Sequence, residues 1–194
     1  MYFNYIKPFI DFLMAVTAIL LFSPFLLVIA VLIKIDSDGP VFFKQQRLGL
    51  HEEQFLLYKF RTMTHKQRTV IKQVFDGDPE VTKVGRFLRR TKLDEIPQLI
   101  NVLKGDMSIV GPRPCVQTIR NKFDDNTPYR FKVKPGLTSL AAIKGSVYLS
   151  WDKKWKFDKE YVLNLSPKLD FVIILQTIKI VFLGEKKLFG NGNS

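Results

Sequence analysis

The sequence predicts an α+β fold that is mainly helical, in which an apolar N-terminal membrane helix precedes a compact domain with a short β-hairpin and surface amphipathic helices. Residues 12–33 carry no charge, two short segments within 41–61 alternate around a turn, and later segments place apolar residues at helical spacing. Because 194 residues have room for one sizeable core, we divide the chain into a membrane segment, 1–35, and a single domain, 36–194.

The composition is strongly basic. Lys and Arg number 30 against 18 Asp and Glu, so the formal net charge is +12. This excess favours polyanionic partners such as nucleic acid, nucleotides or anionic lipid headgroups. Phenylalanine dominates the aromatic residues, 17 against two tryptophans, which indicates packing or membrane contact rather than base stacking. The single cysteine, Cys115, excludes an intrachain disulfide and fits a reducing compartment.

The membrane segment is long enough to cross a bilayer. Phe12–Ile33 contains 22 residues, of which only Thr17 and Ser23 have polar side chains. As one helix it would measure ~33 Å, against a hydrocarbon core of ~30 Å. A secretory signal peptide fits poorly, because the apolar run is too long and no small-residue cleavage site follows it.

Ser23 and Pro24 lie at the midpoint of this run and predict a break in the helix. Each half would measure only ~15–18 Å, about one leaflet, and Ser23 can hydrogen-bond a carbonyl that the proline leaves free. Two topologies fit: a kinked spanning helix, or a re-entrant hairpin with both ends on one side. The residues alone slightly favour the kinked span, because spanning helices tolerate proline. The positive-inside tendency keeps the basic domain cytoplasmic.

The first part of the domain predicts a β-hairpin. Val41–Gln45 and Phe55–Arg61 have strand character, and residues 47–53 connect them. Strand alternation places Lys59 and Arg61 on one face, as a phosphate site requires. A solvated strand end explains the same spacing equally well.

The rest of the domain predicts helices. Residues 64–80 are polar and predict a helix and a loop, and Val84–Arg90 predicts a short helix that carries arginines on one face. Residues 92–104 have helical apolar spacing, and Gly105 is placed to end that helix. Two C-terminal amphipathic helices are predicted at Asp152–Leu163 and Leu169–Leu183. The second of them either lies on a bilayer surface or packs on the core.

An adjacent acidic pair, Asp94 and Glu95, is the main candidate for chemistry. The alternative is structural, because Thr91-x-x-Asp94 resembles a helix capping box and an acidic first turn suits the helix dipole. Neighbouring helical residues point about 100° apart, so two carboxylates converge on one substrate only where a helix begins or bends. Pro97 provides such a place.

The surroundings of the pair favour a phosphorylated substrate. A carboxylate can attack phosphorus as a nucleophile or ligate Mg²⁺ together with phosphate oxygens. Arg89 and Arg113 can supply planar forks for phosphate, and amides around Gly111 can face an anion. His51 and His65 form no metal-ligand pattern and are interpreted as surface residues.

Several blocks of the sequence resemble the bacterial sugar transferases, which are the monotopic phosphoglycosyl transferases. The resemblance covers nearly the whole chain. The chain is similar in length to the small members of that family, which consist of the catalytic core. The blocks are Gly39-Pro40-Val41-Phe42-Phe43-x-Gln45-x-Arg47-x-Gly49, Lys59-Phe60-Arg61-Thr62-Met63, Gly85-Arg86-Phe87-Leu88-Arg89, Leu93-Asp94-Glu95-x-Pro97-Gln98-Leu99, Asn101-Val102-Leu103-Lys104-Gly105-Asp106-Met107-Ser108, Val110-Gly111-Pro112-Arg113-Pro114 and Val133-Lys134-Pro135-Gly136-Leu137-Thr138, with Ser150-Trp151 and Asp170.

The resemblance implies a reaction. Such enzymes transfer a sugar phosphate from a UDP-sugar to polyprenol (undecaprenyl) phosphate and release UMP, as the first membrane step of glycoconjugate biosynthesis. By resemblance Asp94 is the nucleophile, forms a covalent phosphosugar intermediate and contacts the cofactor Mg²⁺. Glu95 is its partner and positions or deprotonates the incoming group. The residues matching nucleotide or phosphate contacts are Lys59, Arg61, Arg89 and Arg113.

The resemblance also implies a cellular setting. The Ser23-Pro24 pair matches a re-entrant helix that enters one leaflet from the cytoplasm, which favours the hairpin over the spanning helix. The expected location is the cytoplasmic face of the bacterial inner membrane. Expected partners are the UDP-sugar donor, the polyprenol phosphate acceptor, membrane lipids and downstream glycosyltransferases, but no nucleic acid.

The chain departs from the family pattern after Leu137-Thr138. The family usually continues there with glycine, an Ala-Gln pair and Gly-Arg-Asn, whereas this chain has Ser139, Ala141-Ala142 and Gly145-Ser146-Val147. Two alternatives to the transferase therefore stand. One is a membrane-anchored module that binds anionic lipid or nucleic acid through its charge, and the other is a catalytically altered scaffold of the same family.

Overall fold

The protein is described by a computed structural model, which covers residues 2–64 and 78–189. The described part is mainly helical, as predicted, with two two-stranded sheets. Most of the predicted helix and loop at 64–80, and His65 with it, lie outside the described residues. The helices are α1 (Lys7–Asp36), α2 (Lys83–Thr91), α3 (Leu99–Leu103), α4 (Thr127–Arg130), α5 (Leu140–Ile143), α6 (Trp151–Leu163), α7 (Pro167–Leu183) and α8 (Glu185–Phe189), and the strands are β1 (Phe42–Leu48), β2 (Gln54–Phe60), β3 (Ser108–Val110) and β4 (Gly136–Thr138).

Helix α1 contains the predicted membrane segment. By length and composition, Tyr2–Asp36 is one helix that is apolar enough to cross a membrane, with a mean hydropathy of 2.8 in its most apolar window. Its middle is uncovered by the rest of the chain, and Leu20, Leu21 and Leu27 are each about 70 % exposed. A continuous apolar surface of this kind marks an interaction site in a soluble protein or contact with lipid. The exposure therefore supports membrane association.

The helix continues through Ser23 and Pro24, where the sequence predicted a break. A proline at position 24 removes the amide that would bond the carbonyl of Leu20. The hydroxyl of Ser23 donates to that carbonyl at 2.9 Å, as the sequence predicted. Because the lost bond is replaced locally, the backbone is helical on both sides of Pro24 within α1. The predicted break of a re-entrant helix at this position stays a prediction.

Both ends of α1 pack against the domain. Near its start, Ala15 is fully buried against a cluster that includes Leu57 of β2. Near its end, Ile29 and Ile33 are buried against Phe60 of the same strand. The domain therefore contacts the helix on both sides of its exposed middle.

The predicted hairpin is confirmed. Strands β1 and β2 pair antiparallel, from Phe42 opposite Phe60 to Leu48 opposite Gln54. The side chain of Asn101, which is fully buried, holds β2 to α3, because its amide donates to the carbonyl of Leu56 at 2.7 Å and its oxygen accepts from the amide of Tyr58 at 3.0 Å. These two bonds fix the position of β2 relative to α3.

The second sheet is a short parallel pair that the sequence did not predict. Strand β3 pairs with β4 through Ser108 opposite Gly136 and Val110 opposite Thr138. A Cβ atom on Gly136 would lie 2.1 Å from the amide nitrogen of Gly111, so this close approach requires glycine. The amide of Gly111 donates to the carbonyl of Thr138 at 2.9 Å. The prediction that amides around Gly111 face an anion is therefore wrong for Gly111, because its amide is hydrogen-bonded to Thr138 within the fold.

Helices α6 and α7 confirm the two predicted C-terminal helices within one or two residues. Helix α7 both packs on the core and leaves an apolar face uncovered: Ile173 is fully buried, whereas Phe182 is 85 % exposed. The buried carboxylate of Asp170 accepts hydrogen bonds from Lys7 and from Tyr161, both at 2.7 Å. This buried polar cluster ties the C-terminal helices to the start of α1.

Candidate active site

The acidic pair lies in a 3₁₀ helix between α2 and α3, at Leu93–Gln98. Lys92 adopts the left-handed conformation, with φ 60°, and turns the chain out of α2. The hydroxyl of Thr91 donates back to the carbonyl of Phe87 at 2.8 Å. The predicted capping box is therefore wrong, because Thr91 is the last residue of the preceding helix rather than the cap of a new one, and Asp94 is left available for another role.

The 3₁₀ geometry separates the two carboxylates. With about three residues per turn, consecutive side chains point about 120° apart. Asp94 and Glu95 consequently meet different neighbours, and the predicted bend near Pro97 is the change from 3₁₀ to α-helix at Leu99.

Glu95 is held by two cations. The ammonium of Lys59 donates to its Oε1 at 2.6 Å, and the guanidinium of Arg113 donates to the same oxygen. Burial of the carboxyl raises its pKa, but Arg113 and Lys59 together outweigh this and hold the pKa of Glu95 well below its usual range. Glu95 is therefore anionic at physiological pH, and it suits a positioning role better than that of a general base.

Asp94 lies beside Glu95 in a different environment. It is buried, with 8 % exposure, and its carboxylate accepts no hydrogen bond from the residues that the structure describes. Burial and the charge of Glu95 raise its pKa, against opposing effects of Lys59, Arg89 and Lys92. Its oxygens thus remain available to a substrate or a cation.

The loop that carries Arg113 is held from two sides. Arg47 donates to the carbonyl of Pro114 at 3.2 Å and to the side chain of Gln45 at 2.6 Å, while Arg130 donates to the carbonyl of Arg113 itself. Burial and the nearby Arg113 lower the pKa of Arg47 to about 10. Arg47 is a site residue that the sequence analysis did not select, although it stands in the Gln45-x-Arg47-x-Gly49 block of the resemblance.

Arg130 extends this support into α6. Its guanidinium stacks on the ring of Trp155 at 4.4 Å and lies 3.4 Å from the carboxylate of Asp158. All three side chains are buried. Burial raises the pKa of Asp158 to about 6, although Arg130 and Lys154 oppose the rise. The position of Arg113 therefore depends on a buried ion pair anchored in the C-terminal part of the chain.

Arg89 lies close enough to influence Asp94. Its Nε donates to the hydroxyl of Thr62 at 3.0 Å. The approach of α2 to this segment requires Gly85, because a Cβ atom there would lie 2.0 Å from the carbonyl oxygen of Thr62. The structure thus brings Lys59, Arg89 and Arg113 around the acidic pair, and their contacts with phosphate or nucleotide stay a prediction.

Arg61 does not join them. It is buried, and its guanidinium donates to the carbonyls of Asp38 at 2.6 Å, Ile33 at 3.1 Å and Ser37 at 2.5 Å. These carbonyls lie at the end of α1, where helical hydrogen bonds run out. The expectation that Arg61 projects with Lys59 toward phosphate is corrected: the strand ends at Phe60, and Arg61 caps the end of α1.

The remaining predicted residues have local roles. His51 is exposed in the hairpin connection, which confirms its interpretation as a surface residue. Ser139 caps α5 by accepting a hydrogen bond from the amide of Ala142 at 2.9 Å. Val147, another position where the chain departs from the family pattern, is 67 % exposed.

Few carboxylates in this site could bind a divalent cation. Within residues 2–64 and 78–189, no group of three or more His, Cys, Asp or Glu side chains is gathered as a metal site. Mg²⁺ often takes only one or two carboxylates and completes its shell with water and substrate phosphate oxygens. The uncommitted carboxylate of Asp94 fits that pattern, whereas Glu95 is already bonded to Lys59 and Arg113.

The chain is similar to known proteins over most of its length. Residues 2–184 match the family model described as bacterial sugar transferase, and the chain belongs to that family. It is 42 % identical over 189 residues to the UDP-N-acetylgalactosamine-undecaprenyl-phosphate N-acetylgalactosaminephosphotransferase of Aeromonas hydrophila, and 42 % identical over 190 residues to the UDP-glucose:undecaprenyl-phosphate glucose-1-phosphate transferase of Escherichia coli. It is also 39 % identical over 180 residues to the uncharacterized sugar transferase EpsL of Bacillus subtilis.

The coverage differs among these relatives. The alignments include 94 %, 93 % and 93 % of this chain in the order given above. They span 45 % of the Aeromonas protein and 39 % of the Escherichia protein, but 89 % of the Bacillus protein. This chain therefore corresponds to less than half of the two larger relatives and to most of the smaller one.

Proposed function

We propose that this protein transfers a sugar phosphate from a UDP-sugar to polyprenol (undecaprenyl) phosphate and releases UMP. The proposal draws on family membership, on relatives whose names specify undecaprenyl-phosphate sugar phosphotransfer, and on the acidic site. The product, a polyprenyl-diphospho-sugar, is the kind of substrate that downstream glycosyltransferases extend.

The observation that carries the proposal is the contrast between two adjacent carboxylates. Glu95 is bound by Lys59 and Arg113, whereas Asp94 is buried and accepts no hydrogen bond from the described residues. Environments that drive two neighbouring pKa values apart assign different roles to the two groups. A charge-binding module that acts through surface lysines has no need of such a buried pair.

The first step is attack by an Oδ of Asp94 on the sugar-linked phosphorus of the donor. A bond forms between that oxygen and phosphorus, and the bond from phosphorus to the bridging oxygen breaks. The electron pair stays on the bridging oxygen, which leaves as part of UMP. Arg113, Lys59 and Arg89 stabilise the phosphate charge, because cationic forks and ammonium groups bind phosphate oxygens strongly.

The second step regenerates the carboxylate. A phosphate oxygen of polyprenol phosphate attacks the phosphorus of the aspartyl phosphosugar, and the bond to Asp94 breaks with its electron pair returning to the carboxylate. Since this acceptor is already ionised at physiological pH, the step needs no strong base. Glu95 accordingly acts by holding Lys59 and Arg113 in place.

Mg²⁺ is proposed as the cofactor, held by Asp94 and by donor phosphate oxygens. When bound, it would neutralise charge on the diphosphate and on the departing UMP.

The test is UMP release from a panel of UDP-sugars in the presence of polyprenyl phosphate. We expect Asp94→Asn to lower turnover by more than about a thousandfold, since removal of a covalent nucleophile costs at least that much in comparable enzymes. Asp152→Asn, on the exposed start of α6, is the matched control and should keep full turnover. In the absence of acceptor, the intact mass of the wild type should increase by one sugar phosphate. Full turnover in Asp94→Asn would refute the proposal.

We also propose that α1 is re-entrant and that the domain lies on the cytoplasmic face of the bacterial inner membrane. Contacts at Ala15 and at Ile29 and Ile33 support this, because one domain cannot pack directly on both ends of a helix that separates the two sides of a bilayer. The Ser23-Pro24 pair lies between these contacts, at the middle of the exposed stretch.

A further inference from the structure

A cavity of about 340 Å³ lies where the start of α1 meets α3 and the segment before β4. Most of its wall is apolar. Two of the wall residues, Phe3 and Phe12, are 39 % and 48 % exposed. The apolar wall is formed chiefly by Phe3, Phe12, Leu50, Leu103, Met107 and Val133.

One cation in the wall has no compensating charge. Lys7 is paired with Asp170 at 2.7 Å and lies 3.7 Å from Asp11. Asp11 in turn accepts a hydrogen bond from Ser108 at 2.6 Å. Lys134 lines the same cavity, and among the described residues its ammonium has neither a hydrogen-bond nor an ion-pair partner. The cavity therefore combines an apolar wall with one free positive charge.

We propose that this cavity binds one acyl chain of an anionic bilayer phospholipid, with the lipid phosphate on Lys134. A hydrocarbon chain gains free energy by leaving water for an apolar wall, and a phosphate gains by meeting an unpaired ammonium. The exposed Phe3 and Phe12 provide a lateral opening toward the lipid in which α1 is embedded.

The site is separate from the reaction centre. None of the residues that surround the acidic pair, namely Lys59, Arg89 and Arg113, lines the cavity. The acceptor phosphate must reach Asp94, which does not line the cavity, and this favours a bilayer phospholipid over the acceptor as its occupant. The inference rests on the membrane placement given in the proposed function, but it does not depend on the phosphotransfer chemistry.

The experiment uses the whole chain in detergent with a phosphatidylglycerol that carries a photoreactive diazirine at the end of one acyl chain. After irradiation, peptide mass spectrometry locates the adducts. We expect labelling on the peptides that contain Phe3, Phe12 or Leu103, at about one lipid per chain and in preference to the exposed face of α7. An equal dose of zwitterionic phosphatidylcholine probe should label these peptides at least about fivefold less.

Variants of Lys134 test the role of its positive charge, and a variant of Leu103 tests the role of the cavity volume. Lys134→Gln should reduce cavity labelling about fivefold, and Lys134→Arg should restore it. Lys144→Gln, at an exposed lysine outside the cavity, is the matched control and should label like the wild type. Leu103→Trp should reduce labelling by filling the space, which keeps the test decisive if loss of Lys134 impairs folding.

Several outcomes would overturn the inference. Equal losses in Lys134→Gln and Lys144→Gln would show only general attraction to basic charge. Stoichiometric displacement by polyprenyl phosphate would assign the cavity to the acceptor. Asp94→Asn separates this inference from the proposed function, since it should abolish UMP release and leave lipid labelling unchanged.

Discussion

At the scale of single residues, neighbouring carboxylates acquire different chemistry from their partners. Glu95 meets Lys59 and Arg113, which stabilise its charge, while Asp94 meets a buried environment and the negative charge of Glu95. The two residues follow each other in the chain and share a 3₁₀ turn, so the difference arises from what packs around them. It leaves one carboxylate ionised and bound and the other available to react.

This contrast predicts a pH dependence of the first step. Only ionised Asp94 attacks phosphorus, and the pKa of Asp94 is raised. As pH is lowered, the rate of UMP release in a single turnover should therefore begin to fall at a pH higher than the usual pKa of an aspartate. Glu95→Gln removes the adjacent negative charge and the carboxylate that Lys59 and Arg113 share. The pKa of Asp94 should then fall and the acid limb should move to lower pH, even though the maximal rate also falls.

The profile is measured by rapid-quench assay between pH 4 and 8, with Glu52→Gln as a control for loss of a surface carboxylate. If the acid limb of the pH–rate profile lies at the same pH in Glu95→Gln as in the wild type, Asp94 and Glu95 do not interact as described.

At the scale of secondary-structure elements, arginines hold the site together by binding backbone carbonyls. Arg61 joins the end of β2 to the end of α1 through three carbonyls, and Arg47 and Arg130 hold the loop of Arg113. A guanidinium offers five donors in a fixed fork and so can satisfy several carbonyls at once. Cationic side chains in this fold consequently divide between those that bind backbone carbonyls and those that surround the acidic pair.

That division predicts opposite behaviour for Lys59 and Arg61. Arg61→Gln should lower the free energy of unfolding by about 2–4 kcal/mol, because it removes the hydrogen bonds of a buried guanidinium to three carbonyls at the end of α1. The KM for the donor should change little in the folded fraction. Lys59→Gln should instead raise the KM for the donor about tenfold, with little effect on stability. Thermal unfolding and steady-state kinetics on both variants check this, and a raised KM in Arg61→Gln alone would return Arg61 to the phosphate site.

The burial of Asp158 predicts a pH dependence of stability, because burial raises the pKa of its carboxyl more than Arg130 and Lys154 lower it. The pKa of Asp158 is about 6 in the folded protein and about 3.9 in an unfolded chain. Between these values the folded state binds more protons, so the contribution of Asp158 to the free energy of unfolding falls as pH rises from about 4 to 6. The expected size is about 2–3 kcal/mol.

The measurement compares unfolding of the wild type and Asp158→Asn in detergent from pH 4 to 7. The free energy of the wild type should fall relative to that of the variant over this range. Parallel curves would mean that Asp158 has an ordinary pKa.

At the scale of the whole molecule, one domain contacts a long apolar helix on both sides of its exposed middle. Ala15 is buried near one end, and Ile29 and Ile33 near the other. A buried polar cluster of Lys7, Asp170 and Tyr161 also fixes the start of the helix to the C-terminal part of the chain. The apolar helix α1 is thus integrated with the domain that carries the acidic pair rather than attached to it by a linker.

This arrangement predicts that both ends of α1 face the cytoplasm. In a Cys115→Ala background, Asn4→Cys and Asp38→Cys should both react with an impermeant thiol reagent in inside-out vesicles and not in intact cells. Phe22→Cys, near the middle of the helix, should react neither in inside-out vesicles nor in intact cells. Labelling of Asn4→Cys only from outside would establish a spanning helix instead.

The amino-acid sequence by itself determined the features that depend on neighbours in the chain. Apolar runs defined α1, α6 and α7, alternation and turn residues defined the hairpin, and Gly105, with φ 82°, ends the segment after α3. The motif around Asp94 indicated the family, and the freed carbonyl beside Pro24 indicated the bond from Ser23. Each of these follows from local stereochemistry or from a short pattern.

Only the tertiary structure decided the features that depend on distant contacts. The β3–β4 pair joins segments about 28 residues apart that are too short to show alternation. Arg61 and Lys59 are two positions apart, yet one caps α1 and the other binds Glu95, because β2 ends between them. Arg47 and Arg130 support Arg113 from remote parts of the chain. Side-chain roles of this kind are set by which partners packing brings within hydrogen-bond distance, and spacing along the chain does not specify them.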